Sequence, residues 1–355
     1  MRLKKLAATL KKKGPLPYLI TDLVNIRYLT GFTGTYAYLV VDRDRSYFIS
    51  DTRYEEYARS ILPKSVEFVL QKNEFLESLK TILKKAGIRE LFLEEHATPL
   101  SVYRSMKKGL RGVKLSPGGD VVNEIRMIKH PDEIEILRQA AAKTDACVRH
   151  LKGIIRPGVS EWDIAVEIEH FYRKNGCRKS SFDSIIASGP GSSMPHYATS
   201  LTKKIMKGEV ILIDMGCEYS GYNSDLTRTM FVHSIDPALE RIYRVVRAAQ
   251  EAAVRAVRPG ITTGELDAVA RDSITGAGYG DRFGHGLGHG IGMEVHEMPA
   301  VKKGDLKLMK NMVITIEPGV YLPGIGGVRI EDMVAVTAAG CEVLTKSSKD
   351  ITVIG

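Results

Sequence analysis

Residues 210–232 read VILIDMGCEYSGYNSDLTRTMFV, and residues 313–336 read VITIEPGVYLPGIGGVRIEDMVAV. Each stretch opens on a short, largely apolar run that ends in a carboxylate, Asp214 in the first and Glu317 in the second. Each then returns through a second strand, expected to begin at Asp225 in the first and to span Val328 to Val336, through Glu331, in the second. Short, nearly continuous apolar runs bounded by glycine-rich turns read as buried strands. A buried carboxylate without a partner is costly, so four of them on such strands require a cation, a hydrogen-bond network or a shifted pKa.

The two stretches belong to a longer repeat. A helix ending in Ile154-Ile155-Arg156-Pro157-Gly158-Val159-Ser160 leads to a second helix ending at Asn175-Gly176. About 102 residues later, Ala256-Val257-Arg258-Pro259-Gly260-Ile261-Thr262 leads to a helix ending at Ala277-Gly278. Arg-Pro-Gly alone is a common helix breaker, but the agreement of element order and acid positions points to a duplication with an internal pseudo-twofold axis. Such an axis brings the two carboxylate pairs together. Converging carboxylates repel unless something positive lies between them, and a pair of divalent ions, held about 3.5 to 4 Å apart in two-metal sites, meets that need with oxygen ligands.

A nitrogen ligand is available in RFGHGLGHGIGMEVHEMP, which holds His285, His289 and His296 within twelve residues. Glycines at 284, 286, 288, 290 and 292 let this backbone pass close to a site.

The rest of the chain supplies a different unit. At 355 residues the length predicts about two domains. Hydrophobic residues make up 44% and charged residues 26%, a globular balance, and no run approaches the roughly 20 apolar residues of a membrane span. Residues 1–126 carry 23 Lys and Arg against 14 Asp and Glu, so the net charge of +9 resides there. The lysines Lys4, Lys5 and Lys11 to Lys13 form a solvated face; without an aromatic and glycine signature beside them they predict neither a nucleic-acid nor a membrane partner. Strands over Tyr36–Val41 and Tyr47–Ile49 flank a charged turn at Asp42–Ser46, a helix spans Asn73–Ala86, and Leu91–Leu93 and Val113–Leu115 read as further strands. Val121–Met127 reads as a connector and Pro131 as the start of a long helix, which sets the domains at 1–122 and 123–355. Four separated cysteines, with no CxxC pair and no secretory h-region, predict free thiols in a reducing cytoplasm.

These residues resemble the pita-bread metallopeptidases, in their Xaa-Pro aminopeptidase and prolidase branch. The matching positions are the Asp214/Asp225 pair, His289 in GHGLGH, Glu317 in TIEPGVY and Glu331 in GGVRIED. The resemblance spans the chain and implies an α/β two-domain fold: an N-terminal creatinase-type α/β domain and a C-terminal duplicated α+β pita-bread catalytic domain. It implies two divalent metal ions per subunit, manganese with cobalt or zinc as alternatives, ligated by Asp214, Asp225, His289, Glu317 and Glu331. It implies His196, in GPGSSMPHYATS, facing the substrate, with His285 and His296 in the pocket, Tyr321 after the EPG turn and Arg329 beside the last ligand. In that mechanism Glu317 also shuttles the proton, while His296 and Tyr321 stabilise the oxyanion. Arg329 suits a salt bridge to a ligand carboxylate as well as a substrate contact.

The substrate implied is a peptide with proline at the second position, and the N-terminal domain implies a homodimer. A methionine aminopeptidase is disfavoured by the N-terminal domain, and a non-enzymatic binding protein on the same fold by the intact ligand set. Prolidases carry an arginine in HExPR, suited to a dipeptide carboxylate, where this chain has His296-Glu297-Met298-Pro299-Ala300, with Arg329, Lys302 or a residue of a partner chain as candidate substitutes. The expectation is therefore an Xaa-Pro aminopeptidase acting on longer peptides, with the Xaa-Pro dipeptidase (prolidase) as the alternative.

Overall fold

The computed structural model describes residues 2–43 and 45–355, without the side chains of Lys4, Lys5, Lys11 and Lys13. Those lysine side chains, and Asp44 in the charged turn, lie outside the described residues. The chain forms two compact units, Met1–Arg126 and Met127–Gly355.

The first unit is built on a six-stranded sheet with the spatial order Val66–Leu70, Ser46–Ser50, Tyr38–Val41, Tyr18–Ile20, Glu90–Leu93, Lys114–Pro117. Tyr38–Val41 and Ser46–Ser50 form the expected hairpin, paired from Tyr38↔Ile49 to Val41↔Ser46. The helix Phe75–Lys85 turns Leu79, Ile82 and Leu83 onto the sheet, as their spacing requires, against Leu19, Val40, Ile49 and Leu91. The segment expected as a connector is instead helical over Val121–Met127. Pro131 stands at the first position of the helix Pro131–Leu151, where its missing N–H is not needed.

The second unit contains the repeat in physical form. Ser160 and Thr262 each cap a 14-residue helix, Glu161–Lys174 and Thr263–Gly276, through a capping box closed by Asp163 and Glu265. Gly158 and Gly260 take the same left-handed backbone, with φ of 91° and 89°. Ser160 bridges Lys204 and Thr262 bridges Lys307 in the same antiparallel sense.

Each half packs two helices under its own strand pair. In the first, Val210–Met215 pairs with Leu226–Val232, Thr227 facing Asp214. Ile211, Ile213 and Met215 lie in the core with Ile164, Ile168 and Tyr172 of the helices. In the second, Val313–Ile316 pairs with Asp332–Val336, and Ile314 and Ile316 pack with Leu266, Ala270 and Ile274. A strand alternates its faces, so the residues between these apolar positions, Asp214 in one strand and Thr315 in the other, turn away from the helices, and Glu317 follows Thr315.

Both expected returning strands are corrected. The returning strand of the second half is not continuous from Val328 to Val336; it breaks into Gly326–Arg329 and Asp332–Val336 with Glu331 in the gap. Asp225 likewise precedes Leu226–Val232 and does not begin it. Leaving the ladder at these points frees both carboxylates from strict alternation. The four cysteines are free, and Cys147, Cys177 and Cys217, distant in sequence, share one core.

Candidate metal centre and its cavity

Two strands of the second unit, carrying Asp214 and His289, and three strand-flanking positions, Asp225, Glu317 and Glu331, bring the expected ligands to one cavity of about 430 Å³, lined also by His196, His285, His296 and Arg329. His289 arrives on Gly288–Gly290, a strand wedged between Glu297–Val301 and Val313–Ile316. A side chain at 288 would meet the Thr315 carbonyl oxygen at 2.1 Å, and one at 290 the Met298 carbonyl oxygen at 2.2 Å. The glycines on either side of His289 are therefore conditions of the packing.

Oxygen atoms of Asp225 and Glu331 and a ring nitrogen of His289 lie within 4.8 Å of one another, close enough for one ion. Glu317 Oε1 is 3.3 Å from His289 Nε2, and Asp225 Oδ2 is 3.6 Å from it. His289 Nδ1 donates to the Gly290 carbonyl at 3.1 Å. Burial, with His296 adding to it, lowers the His289 pKa to about 4, so the ring is neutral and Nε2 offers a lone pair to the carboxylate cluster.

The carboxylates themselves are unsatisfied. Asp214 Oδ1, Asp225 Oδ1 and Glu331 Oε1 are buried and have no hydrogen-bond partner among the described residues. Burial first, and then the neighbouring carboxylates, push Asp225 and Glu331 well above the usual carboxylate range, and burial raises Glu317 to about 7. Buried oxygens that repel one another and lack donors fit hard divalent cations, which satisfy several carboxylates at once.

Around the cluster runs a chain of polar contacts. Arg329 donates through Nη2 to Asp214 Oδ2 at 2.6 Å, through Nε to Thr227 Oγ1 at 3.0 Å and through Nη1 to Tyr321 Oη at 3.0 Å. Thr227 Oγ1 donates to Glu331 Oε2 at 2.7 Å. Tyr321 Oη donates in turn to His285 Nε2 at 3.0 Å, while His285 Nδ1 donates to the Gly286 carbonyl. Burial, with Arg329 and His196 adding to it, lowers the His285 pKa to about 4, which makes this ring the neutral acceptor the arrangement needs.

The expected pocket residues thus divide. His196 and His296 are exposed on the cavity wall, with the His296 ring 4.3 Å from that of His289. Tyr321 is buried and is not among the residues lining the cavity; its hydroxyl accepts from Arg329 and donates to His285. Arg329 lines the cavity and pairs with Asp214, the salt bridge expected of it.

Several participants were not anticipated. Thr227 and Thr315 are the hydroxyls facing the carboxylates; Thr315 Oγ1 donates to Glu317 Oε1 at 3.1 Å and accepts from the His289 amide at 3.0 Å. Their signal was the two-residue offset from Asp225 and Glu317. Phe182, Ile185 and Val295 give the cavity its apolar wall. Glu161, fully buried, accepts from the amides of Ser188 and Ser200 at 2.8 and 3.0 Å, bracketing the loop that carries His196.

The sequence profile of metallopeptidase family M24 matches residues 135–338, and that of the creatinase/prolidase N-terminal domain matches residues 2–128. An Xaa-Pro dipeptidase of Pyrococcus horikoshii is 36% identical over 354 residues, covering 99% of this chain and 98% of its own. The structure of an Xaa-Pro dipeptidase from Bacillus anthracis superposes with a TM-score of 0.96 at 39% identity over 99% of each chain. That of an X-Pro aminopeptidase from Thermotoga maritima gives a TM-score of 0.87 at 35% identity over 95% of this chain and 97% of that one. The creatinase-type N-terminal domain, the pita-bread unit and its carboxylate and histidine cluster thereby have one explanation: the chain belongs to metallopeptidase family M24.

Proposed function

We propose that this protein is a metal-dependent Xaa-Pro dipeptidase, with units 1–126 and 127–355 as its N-terminal and catalytic domains. The observation that carries the metallopeptidase chemistry is the set of three buried, partnerless oxygens on Asp214, Asp225 and Glu331. Preference for dipeptides is supported by relatives named Xaa-Pro dipeptidases that align along nearly the whole chain. This reverses the preference for an aminopeptidase drawn from Ala300.

Asp214, Asp225, His289, Glu317 and Glu331 would hold two divalent ions, with manganese favoured because four of the five donors are carboxylates. Such ions, when bound, supply hydroxide near neutral pH and polarise the scissile carbonyl. Glu317 accepts a proton and delivers it to the leaving nitrogen. His296 faces the developing oxyanion and His196 orients the peptide, both standing exposed on the cavity wall. The free amine of the substrate sits against the carboxylates, which confines cleavage to the N-terminus. Phe182, Ile185 and Pro195 offer the proline ring an apolar surface.

Ala300 favours a second reading, an aminopeptidase for longer peptides, because its methyl group cannot bind a terminal carboxylate. Turnover of a dipeptide, a tripeptide and a pentapeptide sharing one Xaa-Pro pair, with manganese-loaded enzyme, separates the two. Dipeptide preference is expected; faster cleavage of the longer peptides would replace this reading with the second. The family resemblance further suggests a homodimer, testable by sedimentation, and the free cysteines a cytoplasmic setting.

A further inference from the structure

The cavity lining contains two permanent cations, Arg329 and Lys302. Arg329 is committed, with Asp214, Thr227, Tyr321 and the Pro195 carbonyl, 3.3 Å away, all drawing on its guanidinium. Among the described residues, no hydrogen bond or ion pair engages the Lys302 ammonium. It is an exposed, uncommitted positive charge at the wall of a cavity whose other charged groups are the four carboxylates and the guanidinium paired with one of them.

Its placement follows from the strand beside it. Val301 pairs with Gly288 and Ala300 with His289, so the residue after Val301 leaves the ladder next to the ligand strand. A Cβ on Gly286, itself a lining residue beside His285, would stand 3.2 Å from the Lys302 Cβ. The lysine stem therefore starts over a residue that has no side chain to divert it.

A zwitterionic dipeptide in this cavity has one favourable orientation. Its amine is attracted to the carboxylates, and its carboxylate, repelled by them, requires a cation that is not already paired. We propose that Lys302 is that cation, a specificity-determining residue that pairs with the C-terminal carboxylate of a dipeptide and takes the role that Ala300 cannot fill. The assignment rests on the dipeptidase reading above.

The test compares alanyl-proline with alanyl-prolinamide, whose C-terminus is uncharged, on manganese-loaded wild type, Lys302→Met and Lys302→Arg. Wild type is expected to prefer the acid, with the preference shrinking as salt is raised, because the pair is exposed. Lys302→Met is expected to raise KM for the acid about fivefold, the upper end for loss of an exposed ion pair, and to leave KM for the amide unchanged. Lys302→Arg keeps the preference. A structural role would move both substrates together, so equal changes in the two KM values, or no change in either, overturn the assignment while leaving dipeptidase activity standing. A wild type that cleaves alanyl-prolyl peptides of three or more residues but not alanyl-proline removes the dipeptidase reading and this assignment with it.

Discussion

Glu331 and Asp332 are adjacent in the chain and equally buried, yet their carboxyl groups meet opposite surroundings. Asp332 receives Arg228 Nη2 at 2.7 Å and Thr345 Oγ1 at 2.9 Å on one oxygen, and Gln250 Nε2 at 2.9 Å and Lys349 Nζ at 2.7 Å on the other. Burial alone would raise its pKa, but Arg228 and Lys349 outweigh it and hold the group below the ordinary carboxylate range. Glu331 has one oxygen on Thr227 and the other without a donor, and burial with the Glu317 and Asp214 charges drives its pKa up. A carboxylate whose role is structural is closed by its own protein, while one that awaits a cation is left open. Burial by itself distinguishes nothing here; the completeness of the donor set does.

The strongest test of this contrast is removal of the open groups. Asp225→Ala or Glu331→Ala is expected to lower turnover by about 1,000-fold or more and to reduce bound metal in the same preparation, since each removes an ion's direct ligand. Full metal content in either variant, measured by elemental analysis, would mean that the open oxygens serve something else. Removing the closed group should act on stability instead. Asp332→Ala strands the Arg228 guanidinium, which is only 4% exposed, and is expected to cost about 3 to 5 kcal/mol in urea unfolding. A loss below about 1 kcal/mol would show that water or a neighbour closes the gap.

His196→Ala sharpens the division between ligands and wall. Turnover is expected to fall about 100-fold with metal content unchanged if the exposed ring has the substrate-orienting role proposed for it. Metal loss in that variant would place His196 among the groups that hold the ion.

The smallest effect is a difference in sign with pH. In metal-free protein the Glu317 pKa is raised from 4.5 to about 7, so the folded state binds a proton that the unfolded state has released. Its contribution is full below the unfolded value and is lost as pH rises towards 7. Asp332 behaves oppositely: its folded pKa lies below 3.8, so its contribution is full above that value and is lost as pH falls through the lowered pKa. Chelated protein should therefore lose urea stability between about pH 4.5 and 7, and manganese should flatten that slope. An equal slope with and without metal would separate the carboxylate repulsion from the ion.

Much of this site was legible along the chain. Strand ends and the 102-residue recurrence sufficed to nominate four carboxylates, a three-histidine segment and the duplicated architecture, while the choice of His289 among the three histidines came with the family resemblance. The helix over Val121–Met127 was not recognised, because seven residues carry too little periodicity to distinguish it from a connector. Glu331 was assigned to an unbroken strand because Val328–Val336 has the composition of one; whether the ladder continues depends on pairing partners elsewhere in the chain.

What the sequence by itself determined is which residue types recur at which intervals: two pairs of carboxylates, a glycine-flanked histidine, two capped helices and an alternation that turns Asp214 away from its helices. Only the tertiary structure decided which of these groups find partners. It joined Arg329 to Asp214 across 115 residues and drew Tyr321 behind the wall, while Lys302 at the cavity found no partner among the described residues. The physical reason is that periodicity is a property of neighbours in the chain, whereas charge pairing falls off within a few ångströms and is settled by groups that the fold, not the sequence interval, brings together.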